Sequence, residues 1–156
     1  NLANNLIKSI DERTFSNLFH LKYLNLATNQ IEFVNSSLFS QLFNLNYLDL
    51  SFNRLNLIEN YSFKSLSNLQ TLRIHDNSVD FQLMPKSLDG LSSIVNLYVT
   101  FSVLKSNSNK NILSQSLHAH LDKTVGDVNY FKSINIMYKY DPLEDDIDIV
   151  FWFWIF

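Results

Sequence analysis

The feature that limits the fold most is a spacing. Leu21, Leu45 and Leu69 lie 24 residues apart, and Ile94 follows after 25. Leu24, Leu48, Leu72 and Leu97 keep the same steps, as do Leu26, Leu50, Ile74 and Val99. Asn5, Asn29, Asn53 and Asn77 recur every 24 residues, and Ile7, Ile31, Leu55 and Val79 follow them by two. Phe15, Phe39 and Phe63 recur with Leu88 in the fourth slot, and Leu18, Leu42, Leu66 and Leu91 close each unit. A fixed period of this length marks a stacked repeat, because a single unit is too small to bury its own apolar side chains.

Inside each unit the run L-x-x-L-x-L alternates at its end, which suits a short strand with one face buried. Stacked units share one core and pair their strands in parallel. Leu24, Leu26, Leu48, Leu50, Leu72, Ile74, Leu97 and Val99 are expected to point inward, and Phe15, Phe39 and Phe63 to fill the far side. The recurring Asn offers two donors and an acceptor. In the turn after each strand it is expected to satisfy backbone groups of its own and the neighbouring turn. Asn5, Asn29, Asn53 and Asn77 are therefore assigned to the frame. The chain has 20 Asn against 2 Gly and 2 Pro, so Asn also builds much of the turn chemistry.

The pattern resembles the leucine-rich repeat, L-x-x-L-x-L-x-x-N-x-L. It is carried by LKYLNLATNQI (21–31), LNYLDLSFNRL (45–55) and LQTLRIHDNSV (69–79); IVNLYVTFSVL (94–104) keeps the apolar positions but has Ser102 where Asn belongs. The unit length and the repeated Phe resemble the type common in Toll-like receptors and small leucine-rich proteoglycans. The resemblance implies an α/β solenoid, curved, with a parallel sheet on its concave face. It covers residues 1–104, about four units. The first unit starts part-way through, so the chain is expected to be a fragment.

After residue 104 the period fails. KSNSNKN (105–111) reads as a loop. Leu113, Leu117 and Leu121 have helical spacing, with Asn111 as a cap and Gly126 as a stop. Ile134, Ile136, Tyr138 and Tyr140 alternate as a strand. Segment 105–141 is expected to be a non-repeat helix and strand that cap the open end of the solenoid. Segment 142–156 joins an acidic linker to the apolar run IVFWFWIF (149–156). Eight apolar residues do not span a bilayer. With an acidic flank free of Lys and Arg, the run reads as the opening of a transmembrane helix that continues beyond Phe156. The alternative is a C-terminus folded back as a buried strand.

Several chemistries are excluded by residue type. With no Cys there are no disulfides, thiolate metal sites or thiol nucleophiles. A net charge of −3 offers no basic field, and no nucleic-acid partner is expected. His118 and His120 do not share a helix face, so they make a poor metal pair. Asp141, Glu144, Asp145, Asp146 and Asp148 lack the Gly and the spacing of a calcium loop. His75 and Asp76 are adjacent, and adjacent strand residues point to opposite sides, so a catalytic pairing is not expected. The chain reads as a non-enzyme without cofactor or metal.

Recognition is expected on the residues that change between units. Stacking aligns Asn25, Asp49, Arg73 and Tyr98 in one column, and Thr28, Phe52, Asp76 and Phe101 in another. Tyr23, Asn25, Tyr47, Asp49, Phe52, Arg73, His75, Asp76 and Tyr98 form the candidate ligand face, since aromatics beside Arg and Asp compose protein-binding hot spots. Two sequons, Asn35-Ser36-Ser37 and Asn60-Tyr61-Ser62, lie away from the strands, where sugar would leave that face open. The leading expectation is the extracellular part of a membrane-anchored receptor or adhesion protein that binds a protein or glycan on its concave face. The alternatives are a cytoplasmic scaffold, favoured by the absence of Cys, and repeats attached to an enzyme that lies outside this chain.

Overall fold

The computed structural model describes residues 1–78 and 80–99 with their side chains, and the backbone of 100 and 135–139. The helix expected near Leu113–Leu121, the loop before it, and the acidic and apolar C-terminal runs lie outside the described residues. So do Phe101 and Ser102.

Each unit begins with a strand. These are β1 (Tyr23–Asn25), β3 (Tyr47–Asp49), β5 (Thr71–Arg73) and β7 (Asn96–Thr100). They pair in parallel in the order β1-β3-β5-β7 and are followed at the edge by β8 (Asn135–Lys139). The register places Leu24, Leu48, Leu72 and Leu97 side by side, and Ile136 takes the next place on β8. Pairing continues past the strand ends: Leu26 N–H donates to Asp49 O at 2.9 Å, and Leu50 N–H to Arg73 O at 2.8 Å. A shift of one residue would turn each apolar column outward, so the Leu periodicity fixes the register.

A second sheet, unforeseen in the sequence, closes the other side of each coil. Its strands are β2 (Phe33–Val34), β4 (Leu57–Ile58) and β6 (Gln82–Leu83), parallel and in that order. Two-residue strands carry too little alternation to be seen in a sequence window. The chain then returns to the main sheet through tight turns, as where Leu42 N–H donates to Phe39 O at 3.1 Å and Leu66 N–H to Phe63 O at 2.9 Å. The result is a solenoid of about three turns, with no α-helix among the described residues.

The core lies between the two sheets. Leu24, Leu26, Leu48, Leu50, Leu72, Ile74, Leu97 and Val99 are all buried. Phe15, Phe39 and Phe63 form the far wall as a stack with ring centroids 6.1 Å apart at both steps. A buried side chain of this kind contributes about 1.5–3 kcal/mol relative to exposure. One closing position departs from expectation: Leu18 is 43% exposed although Leu42, Leu66 and Leu91 are buried. Each coil covers these residues in the coil after it, and among the described residues none stacks on the outer side of the first coil. Asn5 is exposed for the same reason.

Gly90 is needed at a close approach. Its φ is +100°, and a Cβ there would lie 2.5 Å from the Cα and the carbonyl oxygen of Lys64.

Candidate functional site

The ladder of asparagines sets the spacing of the coils. Asn53 Oδ1 accepts the Ile31 N–H of the preceding coil at 3.0 Å. Its Nδ2 donates to Leu26 O at 3.0 Å, Leu50 O at 3.2 Å and Ser51 O at 3.2 Å. Asn29 makes the same set with Ile7 N, Leu2 O, Leu26 O and Ala27 O. Asn77 makes it with Leu55 N, Leu50 O, Ile74 O and His75 O. Asn5 Nδ2 reaches only Leu2 O and Ala3 O of its own coil. Asn44 and Asn68 form a second ladder on the turn before each strand, donating to Phe19 O at 2.7 Å and Phe43 O at 2.8 Å. Their 24-residue spacing is present in the sequence as a signal separate from the apolar repeat.

The backbone just before each ladder Asn is left-handed. Asn4, Thr28, Phe52 and Asp76 have φ of 59°, 56°, 53° and 52°. Asn and Asp accept this conformation readily, whereas Thr and Phe are strained there at a cost of about 1–3 kcal/mol. The fold therefore holds Phe52 at a position where a Phe is unfavourable, with its ring 45% exposed. Strain of this kind persists where the surrounding structure enforces it and often marks a working residue.

The face of the main sheet gathers the other candidates into one cluster. Tyr23 and Tyr47 stack with centroids 4.4 Å apart and planes within 7°. Tyr47 O–H donates to Asp49 Oδ2 at 2.9 Å, and Arg73 Nη1 donates to Tyr47 OH at 3.4 Å. Arg73 Nε lies 3.6 Å from Asp49 Oδ2, and the guanidinium covers the Tyr98 ring at 4.9 Å. Phe52 meets the His75 ring edge-on at 5.3 Å, and Tyr98 lies against it at 6.2 Å.

Charge in this cluster is balanced internally. Burial pushes the Tyr47 phenol up to about 12, the Arg73 contact opposing and the Asp49 contact reinforcing it. The hydrogen bond to the Tyr47 hydroxyl raises the pKa of Arg73, burial opposes this, and the Asp49 carboxylate adds to it, so Arg73 stays a cation. The register does align Asn25, Asp49, Arg73 and Tyr98.

Three candidates differ from the freely exposed face that the sequence suggests. Asp49 and His75 are buried, at 4% and 7% exposure. Asp49 Oδ1 accepts the Ser51 N–H at 3.0 Å and the Ser51 hydroxyl at 2.5 Å. Asn25 Oδ1 likewise accepts the Ala27 N–H at 2.9 Å. Both thus shape the exit from their strands, a local use of Asn and Asp side chains that competes with ligand contact.

The alternation argument against a His75–Asp76 contact also fails. Strand β5 ends at Arg73 and the backbone turns left-handed at Asp76, which returns its carboxylate to within 2.9 Å of His75 Nδ1. Arg73 Nε–H donates to His75 Nε2 at 3.3 Å. A guanidinium only donates, so Nε2 is the acceptor and Nδ1 carries the proton. The nitrogen that a catalytic base would turn toward a nucleophile is occupied by Arg73. Among the described residues no group of three or more His, Asp or Glu side chains is placed to hold a metal. Tyr23, Tyr47, Phe52, Arg73 and Tyr98 remain as the accessible part of the surface.

The sequons lie on the far side, after β2 and β4. Asn35 Oδ1 accepts the N–H groups of Ser37 and Leu38 at 3.0 and 2.9 Å. Asn60 Oδ1 accepts the Lys86 N–H at 2.9 Å.

Comparison with known proteins agrees with this architecture. The TLR13 chain of the crystal structure of a TLR13–ssRNA13 complex is 32% identical over 63% of this chain and 14% of its own length, with a TM-score of 0.58. Toll in the Toll–Spatzle complex from Drosophila superposes over 87% of this chain and 18% of its own, at 20% identity and a TM-score of 0.54, which concerns the fold alone. The chain thus spans less than a fifth of either solved structure. No curated protein is significantly similar to it. The leucine rich repeat family matches residues 1–55 and 43–104, two-thirds of the sequence, and the chain belongs to that family.

Proposed function

We propose that the chain is part of the recognition ectodomain of a membrane-anchored receptor or adhesion protein, and that it binds a protein ligand on the face of its main sheet. The observation that carries this reading is Phe52. An aromatic ring held half-exposed on a strained left-handed backbone and set edge-on against His75, which in turn meets Arg73 and Tyr98, has the composition of a binding hot spot. Toll-like receptor ectodomains, similar in fold and partly in sequence, favour a recognition role over an enzymatic one. The acidic flank and the apolar run 149–156 favour attachment to a membrane. Cell-surface exposure follows from that attachment.

The TLR13 neighbour is a complex with single-stranded RNA, which weighs against the expectation of no nucleic-acid ligand. In this chain the Arg73 cation is paired with Asp49, and His75, which accepts from Arg73 at Nε2, donates to the Asp76 carboxylate. A face whose cation is already paired favours a protein, since RNA affinity depends on unpaired cations. The test is ligand capture on the immobilised chain from an extracellular fraction, with competition by free wild-type protein, by Phe52→Ala protein and by a short single-stranded RNA. A protein ligand released by wild type and poorly by Phe52→Ala supports the reading. Release by RNA, or equal release by both proteins, overturns it.

A further inference from the structure

We propose, on the ectodomain reading above, that Asn35 is an N-glycosylation site with its own aromatic platform, Phe33, and that Asn60 is not its equivalent. The two sequons look alike in the sequence, but they occupy different places in the coil. Asn35 lies four residues before Phe39, and Asn60 lies three before Phe63. This offset changes what surrounds each amide.

On β2 the chain alternates. Phe33 is 43% exposed and Val34 fully buried, while Asn35, just past the strand end, is half-buried, so Phe33 and Asn35 both reach the outer surface. Two residues before Asn60 stands Ile58, which is fully buried. The outward Phe33 ring has no ring partner among the described residues, and an isolated exposed aromatic next to a modifiable amide is a surface that a sugar ring covers well. Pyranose C–H groups lie flat on an aromatic face, as apolar edges do in aromatic packing.

The amide itself is set for modification. Asn35 Oδ1 is committed to the Ser37 and Leu38 N–H groups, and its Nδ2 makes no hydrogen bond among the described residues. The ladder asparagines, by contrast, spend Nδ2 on up to three carbonyls each. Transfer of a diphosphate-linked oligosaccharide by a secretory transferase forms a bond from Asn35 Nδ2 to the anomeric carbon. The anomeric C–O bond breaks, the diphosphate leaves and the amide gives up one proton. Oδ1 remains an acceptor, so the turn survives.

The third sequon residue separates the two sites further. Ser37 is exposed and lines a shallow polar groove with Glu12, Arg13, Ser16, Ser40 and Gln41, which supplies partners for sugar hydroxyls. Ser62 is 2% exposed, and its hydroxyl donates to Val34 O and Glu59 O at 3.2 and 3.0 Å. The Asn60 sequon is withdrawn once the coil closes.

The experiment is secretion of the full chain from eukaryotic cells. Glycopeptide mass spectrometry then measures occupancy at Asn35 and Asn60, and urea titrations compare wild type, Ser37→Ala, Phe33→Ala, Phe33→Tyr and the Phe33→Ala/Ser37→Ala double variant. We expect Asn35 to be occupied in most molecules and Asn60 in a minority. The folded-to-unfolded ratio of wild type should exceed that of Ser37→Ala about fivefold, the size of one aromatic contact. Phe33→Tyr should keep the wild-type ratio, and the gain should vanish between Phe33→Ala and the double variant. Occupancy at Asn60 with Asn35 bare, or a gain independent of Phe33, overturns the inference and leaves the ectodomain reading standing. Absence of glycan at both sites overturns the inference and the glycoprotein part of that reading together.

Discussion

Replacing Asn53 with Ala tests the ladder, and the same replacement at Asn5 is its control. Asn53 Oδ1 is the only partner of the Ile31 N–H among the described residues, and Ile31 is fully buried. Truncation therefore orphans one buried donor, which costs about 1–3 kcal/mol. The three carbonyls that lose Nδ2 are less affected. Leu26 O and Leu50 O still receive Asn29 Nδ2 and Asn77 Nδ2, and Ser51 O still receives the Thr28 N–H. The Asn5 side chain bonds only within its own exposed turn, so Asn5→Ala, which keeps the backbone bond to Thr28 O, should cost less than about 0.5 kcal/mol. Urea denaturation followed by circular dichroism gives both values, with unchanged slopes confirming a common unfolding transition. Equal effects at the two positions, or an Asn53→Ala midpoint within error of wild type, would refute the assignment of the ladder to coil-to-coil satisfaction of buried backbone.

Four further outcomes follow from the geometry. Ser87 Oγ is buried without a hydrogen-bond partner among the described residues, so Ser87→Ala should be neutral or stabilise by up to about 1 kcal/mol, read as an unchanged or raised urea midpoint. Gly90→Ala should destabilise by roughly 2 kcal/mol or more, because its Cβ meets Lys64 backbone at 2.5 Å; a thermal melt no lower than wild type counts against it. Thr28→Asn should stabilise by about 1 kcal/mol, since Asn accepts the left-handed φ of 56° that Thr resists; a lowered midpoint denies the strain. Tyr47 binds its proton more tightly folded than unfolded, with a folded pKa of about 12. Stability should therefore be intact below about pH 10, the unfolded phenol value, and fall as pH rises toward 12. Tyr47→Phe should flatten that decline in alkaline urea titrations.

The period was legible because burial repeats. Leu24, Leu48 and Leu72 face the same core in the same register, so each unit must supply the same side chain. The ladder was legible through Asn29, Asn53 and Asn77 for a related reason, since identical turns leave identical backbone groups to satisfy. The second sheet was not, because Phe33–Val34 and Leu57–Ile58 are two-residue strands held by stacking rather than by their own pattern. The His75–Asp76 contact was missed because strand alternation stops at Arg73 and a left-handed turn follows. Asp49 looked like a surface charge, and only three dimensions show it closed over by Ser51, Tyr47 and Arg73. Changing positions on a solenoid are thus a mixture of recognition residues and local turn-makers, and exposure separates them.

Phe52 and Phe43 give the most direct measurement of the recognition surface. Their exposures are 45% and 48%, but Phe52 lies on the face of the main sheet beside His75, whereas Phe43 lies on the turn leading into β3. Affinity of the captured protein ligand for Phe52→Ala and Phe43→Ala, measured by titration calorimetry on folded variants, weighs one surface against the other. Binding through the strand face predicts at least about tenfold weaker affinity for Phe52→Ala, roughly 1.4 kcal/mol, and an unchanged value for Phe43→Ala. Weaker binding by Phe43→Ala with Phe52→Ala at wild-type affinity would contradict it.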